Sequence, residues 1–164
     1  MGFCRLFQPP AGNKSGPAAV SISEMALLAR FHPLLVHFPI ALVLVAVAAE
    51  AGSLLTGNRR WHAIAMANVC AGAPFAALSA VAGWRLASTL GLDPTSILAW
   101  HRWLGAAGAG VTVVAALATF AARRESSPAL WTYRIALVCA ALLIAAAGHL
   151  GGLMVWGADF LNVE

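Results

Sequence analysis

Five histidines draw attention in this 164-residue sequence, because long apolar segments surround most of them. An ionisable side chain within such a segment is costly, and it commonly marks a functional site. An imidazole can bind iron, copper or zinc through one ring nitrogen. His32, His37, His101 and His149 are therefore candidate ligands, whereas His62 stands apart from them. The alternative for any single histidine is an interfacial ring bonded to a backbone carbonyl.

The composition indicates which elements must position these rings. Hydrophobic residues make up 61% of the chain and charged residues only 10%, against about 45–50% and 25% in soluble domains. This excludes an ordinary soluble globule and predicts an integral membrane protein in a lipid bilayer. The net charge of +4 comes from Lys and Arg at the ends of apolar runs, which is typical of membrane flanks and not of nucleic-acid binding.

Four segments are long and apolar enough to span a bilayer, at roughly 34–55, 61–84, 97–122 and 129–156. The joins between them are short and carry charges, glycine or proline. Short joins force neighbouring helices to run antiparallel, so residues 25–164 predict an all-α, up-down four-helix transmembrane bundle. Residues 1–24 contain a Pro/Gly/Ser tract and predict a disordered tail.

The arginines predict the orientation of the bundle. With four spans, both termini and the second join share one side, named side A, while the first and third joins share side B. Side B carries the pairs Arg59-Arg60 and Arg123-Arg124, with Arg134 about one turn inside. Positive loops favour the cytoplasm. Both termini and side A are therefore expected outside the cytoplasm.

Alternating helix direction brings three histidines to one depth at side A. His37 lies about one turn inside the first span, His101 about one turn inside the third, and His149 near the end of the fourth. Diagonal helices in a bundle are roughly 14 Å apart, which suits an imidazole–iron–imidazole sandwich. The sequence predicts a b-type haem with His37 and His101 as axial ligands. His149 lies beside them or replaces one, and His32, which precedes a proline, is left at the membrane surface.

Glycines and arginines near these histidines fit the same site. Gly105 and Gly108 follow His101 by one and two turns, and Gly152 lies close to His149 in sequence. Such glycines give room to a flat macrocycle, or they serve tight helix contacts. Arg85 and Arg102, at side A, have the charge to pair haem propionates, or they extend to the interface.

A copper or zinc ion held by three histidines is the competing chemistry. No Asp or Glu in the spans clusters with the histidines to orient their rings, which weakens that alternative. Glu50 lies deeper in the first span, near side B. It is expected to pair with Arg59 or Arg60, with a proton path as the alternative.

Three motifs together resemble a known family. They are HPLLVHFPIAL (32–42), HRxxG (101–105) and GHLGGLMVWG (148–157). They resemble a four-helix bacterial membrane family of unknown function, over about residues 31–159, with Trp156 where tyrosine is common. Its members are often fused to, or encoded beside, c-type cytochrome or Rieske domains. The resemblance therefore implies electron transfer at the outer face of the bacterial inner membrane, with such a protein or a larger respiratory or photosynthetic complex as partner.

The sequence thus predicts a b-type haem electron-transfer subunit that works with a quinol or another membrane redox partner and an extracytoplasmic cytochrome. The alternatives are an accessory subunit without a cofactor and a non-haem copper or zinc site. A transporter ranks below these, because discontinuous helices or polar midplane residues would be expected. No nucleophile–base or carboxylate pair indicates a stand-alone enzyme.

Overall fold

The computed structural model describes residues 29–91, 95–122 and 127–157. Within them lie the helices α1 (His32–Leu35), α2 (His37–Thr56), α3 (Arg59–Thr89), α4 (Ser96–Ala122) and α5 (Ser127–Trp156). Only Val36 separates α1 from α2, and the two form one membrane-length segment. The described residues therefore contain four membrane-length helices, which confirms the predicted all-α class. Each predicted span falls inside one of these segments, and the predicted tail lies outside the described residues.

The helices pack in the order of the chain. α2 packs on α3, α3 on α4 and α4 on α5, and α5 closes the bundle against α2. The first and third membrane-length segments consequently face each other across a diagonal. Short joins explain this order, since each helix must return beside its predecessor.

Small side chains let the helices approach closely. Lipid provides no hydrophobic drive for helix association, so close packing and hydrogen bonds must hold the bundle together. At the α4–α5 contact, a Cβ added to Gly108 would lie 3.1 Å from Ile144 Cγ1. The buried core cluster is rich in alanine and consists of Val43, Ala46, Val69, Ala115, Tyr133, Ala136, Leu137 and Ala140.

A tight turn at side B joins α2 to α3. Gly57 ends α2 in the left-handed region, with φ at 67°, which a glycine adopts without a steric penalty. The Asn58 side-chain oxygen then accepts a hydrogen bond from the Arg60 backbone N–H at 3.0 Å. This N-cap starts α3 directly after the turn.

Candidate functional site

Two histidines meet inside the bundle at side A. His32 begins α1 and His101 lies in the second turn of α4. Their ring centroids are 6.4 Å apart and their planes are nearly perpendicular, at 83°. Both residues are partly buried. Because the two rings come from diagonally opposed segments, the pair connects opposite corners of the bundle.

Each ring is held in the same way by a neighbouring helix. His32 Nδ1 donates to the backbone carbonyl of Ser79 on α3 at 2.9 Å, and His101 Nδ1 donates to that of Ala147 on α5 at 2.8 Å. A carbonyl can only accept, so Nδ1 carries the proton in both rings. In the neutral ring, Nε2 then keeps a free lone pair. Metal-binding histidines are oriented by this kind of hydrogen bond.

Glycines make room for both rings. Gly83 follows Ser79 by one helical turn, and Gly151 follows Ala147 by the same spacing. A Cβ on Gly83 would lie 2.7 Å from His32 Cε1, and one on Gly151 would lie 3.2 Å from His101 Cε1. A glycine one turn after the accepting carbonyl therefore lets each imidazole lie against the helix backbone. In the sequence, these ring-binding places are visible only as pairs of small residues four positions apart, Ser79 with Gly83 and Ala147 with Gly151.

The serine that accepts the His32 hydrogen bond also carries a buried hydroxyl, which has no partner among the described residues. Ser79 is 5% exposed, and its Oγ has no hydrogen-bond partner among the described residues. Leaving such a group unsatisfied costs about 1–3 kcal/mol. The same residue supplies the carbonyl that orients His32.

The structure brings His32, and not His37, to His101. His37 is exposed, and its Nδ1 donates to the Pro33 carbonyl of its own segment at 2.6 Å. Five residues along a helix rotate a side chain by about 140°, so the two histidines of the first segment face different directions. His149 is also exposed and is not part of the ring pair.

The other residues that the sequence singled out fall into three environments. A Cβ on Gly105 or Gly152 would meet nothing within 4 Å, so open space lies beside those positions, whereas Gly108 is packed on α5. Arg85 is exposed. Arg102 extends toward α3, where its guanidinium carbon lies 3.8 Å from the centroid of the Trp84 ring.

A comparison with models of protein families assigns the chain to a family. A family model described as "Predicted membrane protein (DUF2231)" matches residues 29–163. The chain belongs to this family. The match covers all four membrane-length helices and confirms the resemblance to a membrane family of unknown function. No curated protein and no solved structure is significantly similar to the chain.

This DUF2231 protein has a second buried polar cluster, near side B. Glu50 on α2 is 5% exposed. Its carboxylate accepts from Arg134 Nε at 2.8 Å and from His62 Nδ1 at 2.6 Å, and the Tyr133 hydroxyl donates to it at 3.4 Å. The cluster joins α2, α3 and α5. A carboxylate buried in the membrane is tolerated here because these donors replace water.

The expected pairing of Glu50 with Arg59 or Arg60 is wrong. Both arginines are exposed in the first turn of α3. Glu50 lies on the inward face of α2 instead, where it meets Arg134. The prediction chose the arginines that are closest to Glu50 along the chain. The partner depends instead on which face of α2 carries Glu50, because only residues on that side of the helix can reach its carboxylate. Arg134 reaches Glu50 because α5 closes the bundle against α2.

Proposed function

We propose that this DUF2231 protein is a membrane electron-transfer subunit that holds one b-type haem between His32 and His101. The distance between the rings carries the proposal. A metal–imidazole bond is about 2.0–2.1 Å and the ring centroid lies about 1.1 Å beyond the nitrogen, so opposed ligands of one metal have centroids about 6.3 Å apart. The observed separation is 6.4 Å.

The environment of the pair also favours a haem. Both rings have Nδ1 bonded to a carbonyl, which leaves Nε2 for a metal. Open space lies next to Gly105, one turn from His101, where a Cβ would meet nothing within 4 Å. The sequence has no C-x-x-C-H motif, so the haem would be bound without covalent attachment. When bound, it would carry one electron at a time, and the protein would supply two ligands and apolar burial.

The position of the pair suggests the partners. The pair is at side A, which the arginine distribution predicts to be extracytoplasmic. We therefore propose that the chain exchanges electrons with a c-type cytochrome or Rieske-type protein on that side, and with a quinol or another redox partner in the membrane. Among the residues that the structure describes, no constellation for a separate chemical reaction indicates a stand-alone enzyme.

A single copper ion is the second candidate. The ring separation fits a two-coordinate ion as well as it fits haem iron. Metal-binding rings need a hydrogen-bond acceptor that orients them, and no Asp or Glu is available near these histidines in the spans. The backbone carbonyls of Ser79 and Ala147 take that role. Within the described ranges, no three or more His, Cys, Asp or Glu side chains form a metal-binding group. A copper or zinc site with three histidines is therefore not supported there.

Absorption spectra and metal analysis of the purified protein test the proposal. We expect reduced-minus-oxidised bands of a b-type haem and one iron per chain. His32→Ala and His101→Ala should each abolish haem retention, whereas His37→Ala and His149→Ala should retain it. Copper without iron, lost in the same two variants, would favour the second candidate. Neither metal in the wild type, or full haem in His32→Ala, would refute the haem site.

A further inference from the structure

A pocket of about 270 Å³ lies between α3 and α4 at side A. It is smaller than the roughly 300–1,000 Å³ typical of drug-sized ligands, so it suits a headgroup fragment better than a whole cofactor. Neither His32 nor His101 lines it. The lining residues are Trp84, Leu98, Ala99, Arg102 and Trp103.

The ring of Trp84 lies against the face of the Arg102 guanidinium in this pocket. The Arg102 guanidinium carbon lies 3.8 Å from the Trp84 ring centroid, and Trp103 meets Trp84 edge to face at 5.5 Å. A guanidinium stacked in this way keeps its N–H groups for acceptors in its own plane. One of them, on Nε, is buried and has no acceptor among the described residues. The Arg102 Nε–H is thus held in place by the stacked ring and can donate to an oxygen of a bound group.

No carboxylate in the described part of the chain neutralises Arg102. The one carboxylate there is Glu50, which lies near the other end of the bundle and is bonded to Arg134. A guanidinium at an apolar boundary without a counter-charge attracts an anion. Charge complementarity thus indicates an anionic occupant.

We propose that this pocket binds the phosphate of an anionic phospholipid in the side A leaflet. Arg102 lies six residues from the start of α4, or about 9 Å along the axis, a depth close to the membrane interface. Tryptophans concentrate at the headgroup level, and Trp103 is 65% exposed on the outer surface. Arginine pairs phosphate oxygens through parallel N–H bonds. The proposal does not depend on the haem.

Lipid retention measured by native mass spectrometry tests it. The purified protein is mixed with equimolar phosphatidylglycerol and phosphatidylcholine of identical acyl chains. We expect the wild type to retain one phosphatidylglycerol with a preference of about tenfold over phosphatidylcholine. Arg102→Gln should lose that preference. Arg85→Gln is the matched control, since Arg85 is exposed at the same end and does not line the pocket, and it should keep the preference.

Other outcomes overturn the proposal. Equal retention of both lipids by the wild type, or an unchanged preference in Arg102→Gln, would refute it. Displacement of phosphatidylglycerol by inorganic phosphate would assign the pocket to the free anion. Loss of haem together with the lipid preference in Arg102→Gln would assign the arginine to haem propionates. If that variant fails to fold, Arg102→Lys replaces it, and an undiminished preference there would contradict recognition through parallel N–H bonds.

Discussion

At the scale of residues, the candidate site depends on glycines as much as on histidines. The sequence predicted ligands from histidine depth, and depth follows from counting along a helix. The acceptors that orient the rings are backbone carbonyls of Ser79 and Ala147, which no side-chain motif reveals. Gly83 and Gly151 indicate these places, because each follows its carbonyl by one turn.

Gly83→Ala tests this arrangement. The new Cβ would lie 2.7 Å from His32 Cε1. The ring must therefore move, and we expect this movement to break its hydrogen bond to Ser79. We expect loss of most of the bound haem and a decrease of about 1–3 kcal/mol in unfolding free energy, measured by haem-to-protein ratio and thermal unfolding. Gly148→Ala is the control, since a Cβ there meets nothing within 4 Å. Full haem content in Gly83→Ala would contradict the packing argument.

Glu50→Gln tests the side B cluster. The substitution leaves the Arg134 guanidinium without its counter-charge inside the bundle. Breaking a fully buried pair costs about 3–5 kcal/mol, but the Arg134 and His62 side chains are 22% and 25% exposed, so we expect about 1–3 kcal/mol. Thermal unfolding in detergent measures it. Arg60→Gln, at an exposed position, should change stability by less than about 0.5 kcal/mol. Equal melting of the two variants would show that the cluster contributes no stability.

At the scale of elements, the sequence predicted where the membrane-length helices lie, but not which face of each helix points into the bundle. Apolar length fixes a span without reference to neighbours, and all four predicted spans lie within helical segments. Which histidine faces inward depends on the packing of α1 against α3. The proline after His32 suggested a surface position. Instead, Pro33 occupies the first turn of α1, where its missing N–H is not needed, and the helix starts at His32.

Gly108→Ala tests the closest approach of α4 and α5. The added Cβ would lie 3.1 Å from Ile144 Cγ1 and 3.4 Å from the Ile144 backbone nitrogen. Backbone cannot move aside as a flexible side chain does, so we expect about 1–3 kcal/mol of destabilisation in thermal unfolding. Gly110→Ala, two residues away and open to the surface, should be neutral or slightly stabilising, because alanine favours helix. Similar stability of both variants would show that the helices tolerate a wider separation.

At the scale of the whole molecule, chemistry is divided between two ends. The histidine pair and Arg102 lie at side A, whereas Glu50 and its donors lie near side B. Between the two ends, the buried hydroxyls of Thr112 and Thr119 donate hydrogen bonds to backbone carbonyls of their own helix. No continuous row of ionisable groups joins the ends in the described residues. The proposed electron exchange at side A is consistent with this arrangement.

The orientation of the bundle decides which compartment the histidine pair faces. In a protein whose three native cysteines are replaced by alanine, Ser88→Cys marks side A and Thr56→Cys marks side B, both at exposed positions. Because Arg59 and Arg60 follow Thr56 closely, the positive-inside rule predicts that side B stays in the cytoplasm. A membrane-impermeant maleimide applied to intact cells should therefore label Ser88→Cys and not Thr56→Cys, and both should react after cell disruption. The reverse pattern would place the histidine pair at the cytoplasmic face. The proposed electron partner would then be a cytoplasmic or membrane protein, and an extracytoplasmic cytochrome would no longer fit.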